Sequence, residues 1–524
     1  MEMEKQGSRV DMPVFAIAAG ISAVFVLVGV LFQDELATVV GDILSWVLTN
    51  LGWLFVLSTA AFLIFVLFLA VAPYGRIRLG KDEDRPEFRT VSWIAMMFSA
   101  GMGIGLMFFG VAEPISHLAA PPLGLAKPNT EAAAATAMEW TYFHWALQAW
   151  ALYAVVGLAL GFFCFRKGMP NLISSAFYPV LGDRVNGPIG KGIDILAIFA
   201  TMFGSATSLG LGALQINSGL NFVWDVETST GLAVVIIAVL TLAFVISAVS
   251  GVGKGVQYLS NFNMLLAVAL LLFILVAGPT VYILGTLVSA TGDYFAGLVA
   301  RSFETGVYGG SEWLGSWTIF YWVWWISWTP FVGTVLARIS KGRTIREFVV
   351  GVLLIPSGVS FVWFAILGGS AINLQLSGEA NLIDTVAEPE VALFTMLDHF
   401  PLSVVTSVVV IVLVAVFFVS GADAASIVMG MLTCHGILEP PRAIVAFWGV
   451  AMGGVAVTLL LAGGLDTLQQ AAIVAGAPFA LVMIGLAFSF FKALRQEELP
   501  APEPRATVTI PDPAAPQPGI AGGS

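Results

Sequence analysis

The sequence predicts an all-α polytopic membrane protein, and three observations carry that prediction. Of its 524 residues, 58% are hydrophobic and only 10% are charged, whereas soluble domains carry about 25% charged residues. Apolar runs such as Val14–Gln33, Trp53–Val71 and Val256–Ala277 approach or exceed the ~20 residues that cross ~30 Å of hydrocarbon as helix. These runs are apolar at odd and even positions alike, while a membrane barrel strand alternates polarity over ~10 residues. Lipid leaves no other partner for backbone groups, so a helical bundle follows.

Twelve spans can be placed, at about 14–33, 50–73, 91–112, 137–165, 191–220, 232–250, 256–277, 314–338, 347–369, 398–430, 442–463 and 471–492. The expected organisation is a cytoplasmic N-terminus (1–13), two peripheral helices with a basic loop (14–90) and five spans (91–277). An external connection (278–313), five further spans (314–492) and a Pro-, Ala- and Gly-rich cytoplasmic tail (493–524) complete it; the tail reads as disordered. Within the connection, Thr286–Ala300 reads as too short and too mixed to cross, hence as an amphipathic surface helix. The first apolar run exceeds the ~7–15 residues of a signal-peptide core and reads as a retained helix.

Basic residues test this topology. With both termini inside, the inner segments hold all but two of the 22 Lys and Arg, leaving Lys127 and Arg301 outside. An error in the number of spans would scramble that asymmetry, so the positive-inside rule supports twelve. The net charge of −11 weighs against nucleic acid as a partner, although its distribution says more than the total. Cys164 and Cys434 form no CxxC pattern and read as inert thiols.

Two segments carry chemistry. The third span contains Ser99-Ala100-Gly101-Met102-Gly103-Ile104-Gly105. Each glycine costs a helix ~1 kcal/mol relative to Ala. Small residues can serve close helix packing, but three alternating glycines expose successive backbone groups rather than one face. A helix broken within the membrane is expected, with free amides facing an anion and free carbonyls a cation. The eighth span reads Trp317-Thr318-Ile319-Phe320-Tyr321-Trp322-Val323-Trp324-Trp325-Ile326-Ser327-Trp328. An interfacial belt would gather tryptophans at span ends, whereas Trp324, Trp325 and Trp328 lie near the middle. Trp145, Trp150 and Tyr153 in the fourth span add a second aromatic wall. Ring faces attract a permanent cation by ~0.5–2 kcal/mol each, and a quaternary ammonium, having no N–H to donate, suits such a cage.

On these residues the chain resembles the betaine–choline–carnitine transporter family. The likeness is carried by Gly101–Glu113, Thr141–Tyr153, Ala206–Gln215, Gly251–Met264, Trp317–Phe348 and Phe417–Gly430, with Ile339–Phe348 the most specific stretch. The resemblance implies a LeuT-type fold: two inverted five-helix repeats, spans 3–7 and 8–12, behind two extra N-terminal helices. It implies a homotrimer in a bacterial inner membrane and a small quaternary-ammonium osmolyte as substrate. The aromatic box of sodium–betaine members falls on Trp145, Trp150, Tyr153 and Trp325, a further central tryptophan on Trp328, with Trp324 beside it. The stretch Gly101, Met102, Gly103 and Gly105 would face the substrate carboxylate.

The resemblance also implies sodium as coupling ion and no other cofactor. One sodium site would use Thr201, Ser205 and Phe331. The other would use backbone carbonyls of Ser99 and Met102 with Phe417 and Ser420, but Gly421 stands where a second hydroxyl is usual. Proton-coupled choline members place Asp where this chain has Gly105. Sodium-independent exchangers carry a fixed positive charge in the site, whereas the Lys and Arg here fall in loops or at membrane edges.

Glu113 and Asp423 lie near membrane depth, where a carboxylate is by default functional; capping a broken helix or sitting at the interface are the other readings. His144 reads as a packed hydrogen-bonding residue, and a structural role is expected for His117, His399 and His435 also. No HxxxH or HExxH spacing and no nucleophile motif occurs, so an integral-membrane enzyme is not expected. The expected activity is sodium symport of a betaine-like zwitterion by alternating access. Choline, carnitine or ectoine transport, with proton coupling or exchange, is the alternative.

Overall fold

The computed structural model describes residues 10–101, 103–250 and 253–499. Eleven helices among the described residues are long and apolar enough to cross a membrane. The chain opens with α1 (Met12–Leu31) and α2 (Gln33–Val71), followed by α3 (Thr90–Gly101) and α4 (Ile104–Ala119). Next come α5 (Glu131–Trp145), α6 (Leu147–Gly161), α7 (Pro188–Trp224), α8 (Thr230–Ser250) and α9 (Gly253–Ala277). The second half comprises α10 (Thr280–Ser302), α11 (Phe320–Ile339), α12 (Ile345–Ser377), α13 (Ser403–Leu432) and α14 (Arg442–Leu494). Backbone turns non-helical inside α14 at Gly463 and Gly464, the latter with φ 63°, which divides it where the last two spans were expected to part.

Three elements differ from expectation. Helix α2 begins at Gln33 rather than near 50, and Asp34 and Glu35 occupy its first turn, where acidic side chains oppose the positive helix end. The expected Thr286–Ala300 surface helix lies within a longer, 23-residue helix, α10, which by length and composition alone would also suffice to cross. The expected single span 137–165 is two helices, because Ala146 (φ −110°, ψ −130°) interrupts the ladder.

Burial sorts the helices into centre and periphery. Within Glu131–Arg166, 94% of the most apolar window is buried inside the protein, against 22% for α1, 22% for Thr230–Val249 and 17% for α10. Leu27, Leu31, Val239, Leu242, Val281 and Val288 are exposed, a lipid-facing apolar surface of the kind a bilayer demands. In the centre, close approach replaces hydrophobic drive. A Cβ on Gly476 of α14 would lie 2.8 Å from the Val323 carbonyl of α11, so only glycine permits that backbone contact.

The most specific sequence stretch, Ile339–Phe348, is a clamp between halves. Leu79 N–H donates to Arg343 O, Gly342 N–H to Leu79 O, and the Arg78 guanidinium to Gly342 O, all at 2.8 Å. Gly342 holds φ 82°, a conformation that glycine adopts without strain. Trp93 Nε1–H donates to Ser340 Oγ at 2.8 Å, and the Arg343 guanidinium lies 4.0 Å from the Trp93 ring centre. Arg338 grips Glu87 with two hydrogen bonds of 2.9 and 3.0 Å, which holds the Glu87 carboxyl below its usual range.

Candidate functional site

The glycine-rich stretch is a helix break. Helix α3 ends at Gly101, α4 starts at Ile104, and Gly103 between them is extended (φ −160°, ψ −148°). Met102 lies outside the described residues, as does the side chain of Ser99. The first amides of α4 have no acceptors in the preceding turn of their own helix, and the helix dipole adds positive potential there. A Cβ on Gly105 would lie 3.0 Å from Trp145 Cη2 and 3.1 Å from Trp324 Cη2. The amide-rich end of α4 is therefore packed directly against two indoles, with no room for a larger side chain unless they shift.

The second break, at Ala146, lies between Trp145 and Trp150. Interrupting a helix leaves carbonyls without i+4 donors, and Trp325 Nε1–H donates to His144 O at 3.0 Å. The break and the tryptophan on α11 thereby fix each other. Around Trp325 the rings form one cluster: Trp145 at 4.9 Å between centroids, Trp324 stacked at 4.8 Å and Tyr153 at 6.4 Å. Trp150 meets Tyr153 edge-on at 5.5 Å. Trp328 joins through Trp324 at 6.2 Å and touches Phe331 at 5.8 Å. All six aromatics named from the sequence thus belong to one contiguous wall.

Sequence reasoning placed Glu113 at a span end. The structure buries it completely inside α4, behind this wall. Trp145 Nε1–H donates to its Oε2 at 2.7 Å, and the Tyr321 hydroxyl donates to the same oxygen. The other oxygen lies 2.7 Å from His144 Nδ1 and 3.3 Å from His117 Nε2. His144 Nε2 in turn meets Thr318 Oγ1 at 3.0 Å, so His144 is the packed hydrogen-bonding residue expected. Tyr321 and Thr318 were not singled out; the available signal was a carboxylate inside an apolar run, which demands buried donors.

Thr201 and Ser205 sit one turn apart on α7, both fully or nearly fully buried, and neither hydroxyl has a hydrogen-bond partner among the described residues. Leaving a buried hydroxyl unpaired costs ~1–3 kcal/mol. Phe331 is buried on α11. A Cβ on Gly204, between the two hydroxyl residues, would lie 2.7 Å from Trp328 Cδ1, which links this pair to the aromatic wall. Phe417 and Ser420 are half-buried on α13. The Ser420 hydroxyl donates to Val416 O at 2.9 Å and faces Phe417 O at 3.3 Å. Asp423 is half-buried one turn further on.

Comparison with known proteins identifies the family. Residues 13–499 match the family model of the betaine/carnitine/choline family transporters. The chain is 47% identical over 487 residues to a glycine betaine transporter of Bacillus subtilis, covering 92% of this chain and 94% of the relative. It is 41% identical over 500 residues to a betaine/ectoine transporter of Corynebacterium glutamicum, covering 94% and 79%. An osmo-dependent choline transporter of Acinetobacter baylyi is 39% identical over 496 residues, covering 94% and 72%. A multi-pass helical chain with these matches is a carrier of quaternary-ammonium solutes and not an enzyme: it belongs to the betaine/carnitine/choline transporter (BCCT) family.

Proposed function

We propose that the protein imports glycine betaine by sodium symport across a bacterial inner membrane, with both termini cytoplasmic and the chain assembled as a homotrimer. The observation that carries this reading is the contact of Gly105 with Trp145 and Trp324. It sets the amide-rich start of α4, suited to a carboxylate, beside rings suited to a trimethylammonium group. A zwitterion of betaine's size presents both ends to both features. Choline lacks the carboxylate and would leave the α4 amides without their anion. The crowding at Gly105 also disfavours an acidic side chain there, and with it the proton-coupled arrangement.

The direct test is uptake of labelled glycine betaine into proteoliposomes with and without an inward sodium gradient. Sodium-driven accumulation of unchanged betaine is expected. Accumulation driven equally well by a proton gradient, or by counter-substrate alone, overturns the sodium assignment. Choline outcompeting betaine overturns the substrate.

Two further outcomes follow from particular residues. A Cβ on Gly421 meets nothing within 4 Å, so a serine fits there and restores a hydroxyl beside Ser420. A dipole contact to an ion is worth about 1.5–3 kcal/mol. Gly421→Ser is therefore expected to lower the sodium concentration for half-maximal uptake about tenfold, water having supplied part of the lost contact before. No change would mean that this second site binds no sodium.

The tail after Arg495 carries only Arg505 against Glu497, Glu498, Glu503 and Asp512. Anionic lipid attracts nearby basic residues by ~1 kcal/mol each, so this tail has little affinity for the membrane surface. Glu497 is held instead by Arg166 at 2.7 Å and by Lys167. Deleting residues 500–524 is expected to leave uptake and its osmotic response unchanged in proteoliposomes; a lost response would assign the sensing to the tail.

A further inference from the structure

Glu113 is a fully buried carboxylate whose only ion-pair partners among the described residues are His117 and His144. Structural knitting alone does not require its charge, since buried donors are commonly met by neutral carbonyls. What distinguishes this carboxylate is where its bonds lead. The 2.7 Å bond from Trp145 Nε1–H is in the range of a charge-assisted hydrogen bond, and Trp145 is the box ring in contact with both Trp325 and Gly105. An N–H bonded to a carboxylate pushes electron density into its indole, and hydrogen-bonded groups polarise one another in a low-dielectric interior. Attraction of a cation to a ring grows with the negative charge on the ring face.

We propose that Glu113 is a positioning and specificity residue for the quaternary-ammonium end of the substrate: through Trp145 it fixes the indole and enriches its face, so that the box prefers a cation to a neutral group of the same shape. Tyr321, donating to the same oxygen and stacked on Trp325 at 5.6 Å between centroids, extends the influence to a second ring. The inference rests on the betaine reading above and adds to it the origin of the discrimination.

The experiment compares glycine betaine with 3,3-dimethylbutanoate, in which a carbon replaces the nitrogen and the carboxylate is kept. Binding of each to the purified transporter is measured by calorimetry in the unmutated protein and in Glu113→Gln. The amide oxygen can take the Oε2 position and still accept from both Trp145 and Tyr321, with its NH2 toward His144, so the variant keeps the bonds and removes the charge. The betaine-to-isostere affinity ratio is expected to fall about tenfold, with little change for the isostere. In uptake assays the KM for betaine rises while the maximal rate is kept. A ratio that stays constant, whether both affinities fall together or neither does, overturns the proposal. If Glu113→Gln does not yield a monodisperse protein, Trp145→Phe takes its place, since it removes the N–H and keeps an aromatic face. The same fall in ratio is then expected, and an unchanged ratio overturns the proposal. If the unmutated protein binds neither compound, the betaine reading itself falls, and this inference with it.

Discussion

Trp325→Leu is expected to raise the KM for glycine betaine about 30-fold or more, with the protein still folded and inserted. Trp325 is the ring on which the cluster converges, touching Trp145, Trp324, Tyr153 and Tyr321. Removing one desolvated aromatic face from a cation costs about 2 kcal/mol, or about 30-fold in affinity. The substitution also takes away the donor to His144 O, so the carbonyl freed by the Ala146 break is left unpaired and the box loses a restraint as well as a face. Trp328→Leu should act in the same direction but more weakly, because the Trp328 indole N–H holds no partner among the described residues and the ring contacts the box through Trp324. The check is betaine uptake across a concentration series, with gel filtration of each variant. A folded Trp325→Leu protein with unchanged KM would remove Trp325 from the substrate site.

Comparing these two tryptophans shows which parts of the site the sequence discloses. Their mid-span position is visible in the sequence because a bilayer sorts aromatics by depth and these violate the sorting. The break before Ile104 is visible because three glycines in a span have a local cost that needs a reason. The break at Ala146 is not visible. Its neighbours Trp145 and Leu147 are good helix or neutral residues, and what stabilises the interruption is a donor from α11, far away in sequence. The part of helix α2 before residue 50 was missed for the opposite reason: Asp34, Glu35 and Asp42 read as loop in a search for apolar runs, though acidic residues are at home in a helix's first turns. Glu113 was located but misplaced, since burial of a carboxylate depends on partners that come from two other helices, His144 and Trp145 on α5 and Tyr321 on α11. Local rules therefore reported the spans and their weak points, while tertiary hydrogen bonds set the geometry.

Replacing Thr201 by Val and Ser205 by Ala together is expected to raise the sodium concentration for half-maximal uptake about 100-fold. Each hydroxyl oxygen contributes about 1.5 kcal/mol to a bound ion at the lower end of the range, and the two act on the same ion. The same pair of substitutions makes an opposite prediction for stability, and that contrast is what identifies the role. Both hydroxyls are buried without a partner among the described residues, so they cost stability in the protein alone. Apolar replacements of similar shape remove that cost; the melting temperature without sodium should be unchanged or higher. Sodium raises the melting temperature of a protein that binds it, and in the double variant this rise should disappear. Hydroxyls serving the fold would give the reverse pattern, with a lower melting temperature in sodium-free buffer and the sodium-dependent rise intact. That pattern, or an unaltered half-saturation for sodium, would move the ion away from α7 and leave the coupling to be sought at Ser420 and Gly421.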